Sequence, residues 1–276
     1  HPRGGRAGPA GQLGLYPYAP RRFEQGGIGM SYVDEGDGDP VVMVHGNPTW
    51  SFHWRELIRD LRCDHRVIAP GHVGCGRSDK PSADDYPYSL ARRVDDLDAL
   101  LEHAGVREDV TLAVHDWGGM IGLAWAARHP ERLKRLVVLN TGAFRLPAGK
   151  SMPWQLRIVR DSPLGPLLVQ GLNAFSRGTV KFCVTRRPLE PAVRDGYLAP
   201  YDSWDHRLGV YRFVKTIPLG PEDEGWDVVT DTEAALAGFR DLPVLICWGL
   251  RDFVFDAHFL AESERRFSSA EEHRFE

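Results

Sequence analysis

No stretch of the chain approaches the ~18 consecutive apolar residues that cross a bilayer, so no integral membrane segment is expected. The N-terminal HPRGGRAGPAGQLGLYPYAP lacks the apolar centre of a secretory signal and reads as a flexible tail over residues 1–20. Cysteine is scarce. Cys63, Cys75, Cys183 and Cys247 form no C-x-x-C pair and no metal-ligand spacing, so reduced thiols in a cytoplasmic protein are expected and no metal site is read. No sign of charge dominates: 34 basic against 38 acidic residues leave −4, which gives no hint of nucleic acid or of an anionic surface. A dinucleotide fingerprint is missing, because GHVGCG (71–76) does not fit G-x-G-x-x-G and reads as a loop. Cys75 in that loop has no base paired with it and is not read as a nucleophile. Asn47-Pro48-Thr49 has proline where a glycosylation site forbids it.

What is present is an alternation. Short β-branched runs at 41–44, 66–69, 109–114, 135–139 and 243–248 are separated by helical patterns. Leu90, Val94, Leu97, Leu101 and Ala104 fall at helical spacing behind Ser89, a candidate N-cap. GGMIGLAWAARHP reads as a helix that stops before Pro130. This order implies an α/β fold with a mostly parallel sheet flanked by helices. From about 145 the strand signals vanish and aromatics become frequent until about 228. The expected organisation is a core over 21–144, a helical cap over 145–228 inserted between sheet strands, and the rest of the core over 229–276. Its C-terminal end is expected to be truncated.

Three loops that follow strands carry the chemistry. VHDWG (114–118) has the small-x-nucleophile-x-small spacing of a tight strand-to-helix turn, which presents the middle side chain at the strand ends. That side chain is Asp116, which could otherwise simply cap the following helix. HGNPTWSFHWR (45–55) brings a loop toward the same pocket, with Asn47 as an amide donor. WGLRDFVFD (248–256) offers the acid of a triad, Asp252, with Asp256 as second choice. The competing position after 135–139 reads Asn140-Thr141-Gly142, without a carboxylate.

A triad histidine is expected on the loop after a last strand in EEHRFE (271–276), beyond Glu276, so no residue of this chain is assigned that role. His273 lies inside the presumed strand, and His45 and His115 read as packed or hydrogen-bonding residues.

A carboxylate in place of a serine suits displacement at saturated carbon that expels an anion. The indole N–H of Trp117 and the amide of Asn47 are the candidate anion donors. Halide, epoxide alkoxide and lactone carboxylate all fit as the leaving group, and no cofactor is needed.

The constellation resembles the α/β-hydrolase superfamily, in particular the haloalkane dehalogenases with an aspartate nucleophile. The longer stretches HGNPTWSFHWR, GCGRSDKP, RVDDLDALLEHAGV, TLAVHDWGGMIG, MPWQ, NAFSRG, APYDSW and WGLRDFVFD are more similar to the β-lactone decarboxylases of bacterial long-chain olefin biosynthesis. That resemblance runs from about residue 21 to the end and implies decarboxylation of a long-chain cis-β-lactone to a cis-alkene. It also implies an apolar small-molecule substrate. A thiolase-like condensing enzyme and a β-lactone synthetase would be partners, and peripheral membrane association would fit. Two features depart from the family: Gly71 where it carries aspartate, and the absent histidine. The alternatives left open are a dehalogenase, an epoxide hydrolase using cap tyrosines such as Tyr197, Tyr201 or Tyr211, and a non-catalytic assembly partner.

Overall fold

The computed structural model describes residues 14–276. One sheet is built from β1 (Arg21–Gln25), β2 (Ile28–Glu35), β3 (Pro40–Val44), β4 (Arg66–Pro70), β5 (Val110–Asp116), β6 (Leu133–Thr141), β7 (Val244–Gly249) and β8 (Glu271–Phe275), in the spatial order β1-β2-β4-β3-β5-β6-β7-β8. β2 is antiparallel to β1 and β4; every other neighbouring pair is parallel. The mostly parallel sheet expected from the alternation is therefore what forms, and the five β-branched runs fall in β3 to β7.

Residues buried on both faces explain why those five were visible as near-continuous apolar runs. Val41 to Val44 and Val110 to Val114 are buried apart from Thr111. The β1–β2 hairpin lacked that signature, because β1 is the mostly exposed RRFEQ. Its cue is the two-residue turn Gly26-Gly27, where both φ values are positive, at 59° and 80°.

Helices cover the sheet. Those contributed by the core are α1 (Arg55–Leu61), α2 (Leu90–His103) and α3 (Trp117–Arg128). Ser89 caps α2 by accepting the Arg92 N–H at 3.2 Å, and Leu90, Val94, Leu97 and Leu101 are buried along one face. α3 is apolar nearly all round because it lies between the sheet and α2. Trp125 is fully buried there, and its truncation to alanine is expected to cost about 3–5 kcal/mol.

Between β6 and β7 the described residues contain no strand. They form α4 (Trp154–Asp161), a π-helical turn at Leu167–Gly171, α5 (Ala174–Phe182), α6 (Pro191–Leu198), α7 (Leu208–Lys215) and α8 (Trp226–Ala235). Val159, Val169, Tyr201, Val210 and Val214 give this insert a small core of its own. The boundary expected at 228 falls inside α8, which packs on α3 and so belongs with the sheet's flank. A last helix, α9 (Ala257–Arg266), separates β7 from β8.

The expected flexible tail needs correction where it is described. Residues 1–13 lie outside the described residues. Tyr16 and Tyr18, however, are buried, and Tyr16 packs edge-on against Trp50. Both rings place their hydroxyls on polar partners: Tyr16 donates to Ser51 Oγ at 2.6 Å and Tyr18 to the Arg55 carbonyl at 2.7 Å. Aromatic bodies with satisfied polar tips can be buried without penalty, which a composition-based reading of a Gly/Pro-rich stretch overlooks.

Candidate active site

The C-terminal ends of β3, β5 and β7 open onto one cavity of about 500 Å³, roofed by the insert. Asp116 ends β5, with φ 53° and ψ −129°. A non-glycine residue held there stores about 1–3 kcal/mol of backbone strain. Close packing enforces the turn: a Cβ on Gly118 would lie 2.0 Å from the Val44 carbonyl oxygen. A Cβ on Gly46 would lie 2.2 Å from Asp116 Oδ1, so only glycine lets the β3 loop pass the carboxylate.

That approach has a purpose visible in the hydrogen bonds. Asp116 Oδ1 accepts the backbone N–H of Asn47 at 2.7 Å and of Trp117 at 2.6 Å. Oδ2 accepts nothing from the described residues, and Asp116 lines the cavity. One oxygen is pinned and the other is left unbonded among the described residues. Burial pushes the carboxyl up to about 7, against the lowering effect of the two N–H groups and with a smaller upward contribution from the charge of Asp252.

The two anion-donor candidates both face this cavity. Asn47 Nδ2 spends one hydrogen on the Val210 carbonyl at 3.1 Å, which fixes the amide against α7 and leaves its second hydrogen. The Trp117 ring is braced by Phe213, with centroids 5.1 Å apart, and its indole N–H donates to no group among the described residues.

Asp252 and Asp256 separate cleanly. Asp252 lines the cavity, and its Oδ1 accepts the N–H groups of Val254 at 2.8 Å and Phe255 at 2.9 Å. Burial raises its carboxyl above the usual range. Asp256 instead caps α9, accepting the His258 N–H at 3.0 Å, and pairs with Lys150 at 2.7 Å.

His45 and His72 are tied to each other and to the backbone. His45 Nε2 accepts the His72 N–H at 3.1 Å, so its Nδ1 carries the proton donated to the Gly46 carbonyl at 2.8 Å. His72 Nε2 returns a hydrogen bond to the His45 carbonyl at 2.8 Å, and burial keeps both rings neutral. His273 is exposed beside Glu271 on β8. Among the described residues no histidine is hydrogen-bonded to Asp116 or Asp252. Gly71 donates its N–H to the Ser31 carbonyl at 2.8 Å. Nearby, the buried Arg93 has no carboxylate partner among the described residues and lies 3.5 Å over the Phe213 ring.

The sequence reading named Asn140, His115 and Tyr197 without giving them their places at the site, and did not single out His53. Asn140 was noted only for not being acidic, yet it ties β6 to the Asp252 loop: its Oδ1 accepts the Gly249 N–H at 2.7 Å and its Nδ2 donates to the Gly249 carbonyl at 3.0 Å. His53 and His115 stack at 4.6 Å in the cavity wall, where burial holds His115 down to about 4 and His53 well below the usual range. Tyr197 completes that wall, its hydroxyl 3.2 Å from His53 Nδ1. Of the three cap tyrosines only Tyr197 lines the cavity, so no tyrosine pair is presented to an epoxide oxygen.

A buried carboxylate on a strand-to-helix turn, set at the C-terminal edge of a mostly parallel sheet under a helical insert, defines the class. The chain belongs to the alpha/beta hydrolase fold family, whose model matches residues 39–276. A cis-3-alkyl-4-alkyloxetan-2-one decarboxylase of Shewanella oneidensis is 49% identical over 261 residues, covering 95% of this chain and 82% of that one. A haloalkane dehalogenase of Mycolicibacterium paratuberculosis is 39% identical over 228 residues, covering 81% and 71%. Among solved structures, the haloalkane dehalogenase DatA of Agrobacterium tumefaciens C58 superposes with a TM-score of 0.80 at 25% identity, covering 93% of this chain and 87% of that one.

Proposed function

We propose that this protein decarboxylates a cis-β-lactone bearing long alkyl chains to a cis-alkene and carbon dioxide, with Asp116 as nucleophile. The observation that carries the reading is the 49% identity, over 95% of the chain, to a relative named for a 3,4-dialkyl oxetan-2-one, which is a β-lactone. The dehalogenase relative is more distant, at 39%. The site adds chemistry that suits the reaction.

Asp116 Oδ2 attacks the ring carbon that bears the ring oxygen. That C–O bond breaks, and the electrons remain on the oxygen of the new β-carboxylate. The remaining Asn47 amide hydrogen and the Trp117 indole N–H are positioned to hold it. The carboxylate then leaves as carbon dioxide. The electrons of its C–C bond form the alkene, and the ester C–O bond to Asp116 breaks, restoring the carboxylate. No water enters and no proton is moved, so this route runs without a general base. Asp252, held by two backbone N–H groups, would orient a histidine if one joins the site. A hydrolytic dehalogenase requires such a base to release its alkyl ester.

The cavity suits an apolar substrate: Leu156, Phe175, Val180 and Val214 line it above the carboxylates. The reading places the protein in the cytoplasm, beside a thiolase-like condensing enzyme and a β-lactone synthetase that would supply the ring. None of the helices among the described residues is long and apolar enough to cross a membrane.

The test offers the full-length protein a dialkyl cis-β-lactone and a 1-haloalkane, and measures alkene and halide with Asp116→Ala as control. Alkene dependent on Asp116, with little halide, is expected. Halide without alkene would overturn the reading in favour of a dehalogenase. In heavy-oxygen water, label entering Asp116 on every turnover would rule out the water-free route.

A further inference from the structure

The net charge of −4 conceals a strong asymmetry. Residues 150–187 carry seven basic side chains and one acidic, Asp161, a local charge of +6. Lys150 pairs with Asp256, and Arg160 with Asp161 and Asp223. The other five, Arg157, Arg177, Lys181, Arg186 and Arg187, make no ion pair among the described residues.

The same segment exposes large apolar side chains. Trp154 is 68% exposed and Phe182 67%, and Ile158, Leu164, Leu167 and Leu172 are exposed with them. Together they are half of the exposed large hydrophobics among the described residues. Their position ties them to the cavity. The inner faces of α4 and α5 line it through Leu156, Phe175 and Thr179, and their outer faces are exposed. Phe182 both lines the cavity and is exposed, as are Leu146 and Phe253, which marks its opening. Val184, Arg186 and Arg187 form a shallow depression beside it.

Exposed aromatics among unpaired arginines and lysines match a lipid–water interface, where rings enter the headgroup layer and cations meet anionic headgroups. Exposure of that apolar area to water is otherwise unfavourable. From this we infer that the outer face of the insert, centred on Trp154 and on Lys181 to Arg187, docks on an anionic bilayer, with the cavity opening toward the lipid. The inference deepens the lactone reading, on which it rests for the identity of the apolar cargo: a long-chain substrate would pass from acyl layer to cavity without crossing water.

The test is flotation of the full-length protein with vesicles of phosphatidylcholine, with and without phosphatidylglycerol, at low and high salt. Binding is expected only with phosphatidylglycerol and is expected to weaken as salt rises. Combining Lys181→Glu, Arg186→Glu and Arg187→Glu should weaken it about a hundredfold or more, and Trp154→Ser should weaken it further. Circular dichroism verifies that the variants fold. Absence of flotation at low salt, or flotation unchanged in the triple variant, overturns the proposal. Sedimentation that shows a dimer lost in the triple variant, without vesicle binding, assigns the face to a second copy and also overturns it. Flotation needs no turnover, so it stands or fails apart from the lactone reading. If that reading holds, the triple variant should turn over a short, water-soluble lactone normally and a vesicle-borne one more slowly.

Discussion

The floor and the walls of the cavity are held by different physics. The floor is backbone: the turns after β3, β5 and β7 are fixed by hydrogen bonds of 2.6–3.0 Å to Asp116, Asp252 and Asn140, and by glycines with no room for a methyl group. Apart from His53 and His115, the walls are largely side chains of a strandless insert with a small core and a π-helical turn. A floor of this kind tolerates little and sets the reaction. Walls of this kind tolerate exchange and set what fits.

Substitutions that strike one region and spare the other break or sharpen that contrast. The largest effect is expected at the nucleophile, where Asp116→Ala should lower kcat/KM on the order of 10⁴-fold. An alkene yield within tenfold of wild type would remove Asp116 from the chemistry. Next comes Gly46→Ala, whose methyl would displace the carboxylate it meets at 2.2 Å. A loss of about 10²-fold in kcat is expected from such misplacement, with KM changing far less.

The floor should also reveal itself through pH. The folded chain keeps a proton on Asp116 up to about 7, whereas a free carboxyl loses it near 3.8. The stability linked to this proton is therefore whole below 3.8 and is lost as pH rises through 7. Asp116→Asn escapes that loss. It should melt above wild type at pH 8, by roughly 2–4 kcal/mol of stability, and converge with it near pH 4. Turnover by wild type, which needs the carboxylate, should rise through the same region. Equal melting of the two proteins at pH 8 would show that burial does not shift this group.

The smallest effects belong to the walls. Thr179→Phe should lower kcat/KM for the longest lactones by roughly tenfold and leave short ones nearly unchanged. A uniform loss across chain lengths would mean that the wall is as constrained as the floor.

This contrast also explains what could be read from the chain alone. The convergence of Asn47, Asp116, Trp117 and Asp252 on one cavity was legible because each sits at or just past the end of an apolar strand, in a turn whose glycines and spacing are local. Asn140 was not, since its function depends on the parallel register that lays β6 beside β7. The His53–His115 stack joins a residue of the short helical turn Ser51–Trp54 to one near the end of β5 and leaves no mark in spacing. Tyr16 and Tyr18 were lost in a stretch whose glycines and prolines suggested disorder. The basic face of the insert was hidden by a total that averaged it against an acidic core.

The pinning of Oδ1 reaches beyond binding, into the geometry of the product. In the proposed reaction, with one oxygen fixed, only Oδ2 attacks, and displacement proceeds from the side opposite the departing ring oxygen. Inversion at that carbon sets the new ester bond antiperiplanar to the carboxylate on the neighbouring carbon, with the two alkyl groups still on the same side. Both breaking bonds then align with the forming π bond without rotation about the central C–C bond. A cis-lactone thus gives a cis-alkene by stereoelectronic necessity. A trans-lactone, if it fits, should give only the trans-alkene, and a mixture from either would reveal a carbocation in place of the ester.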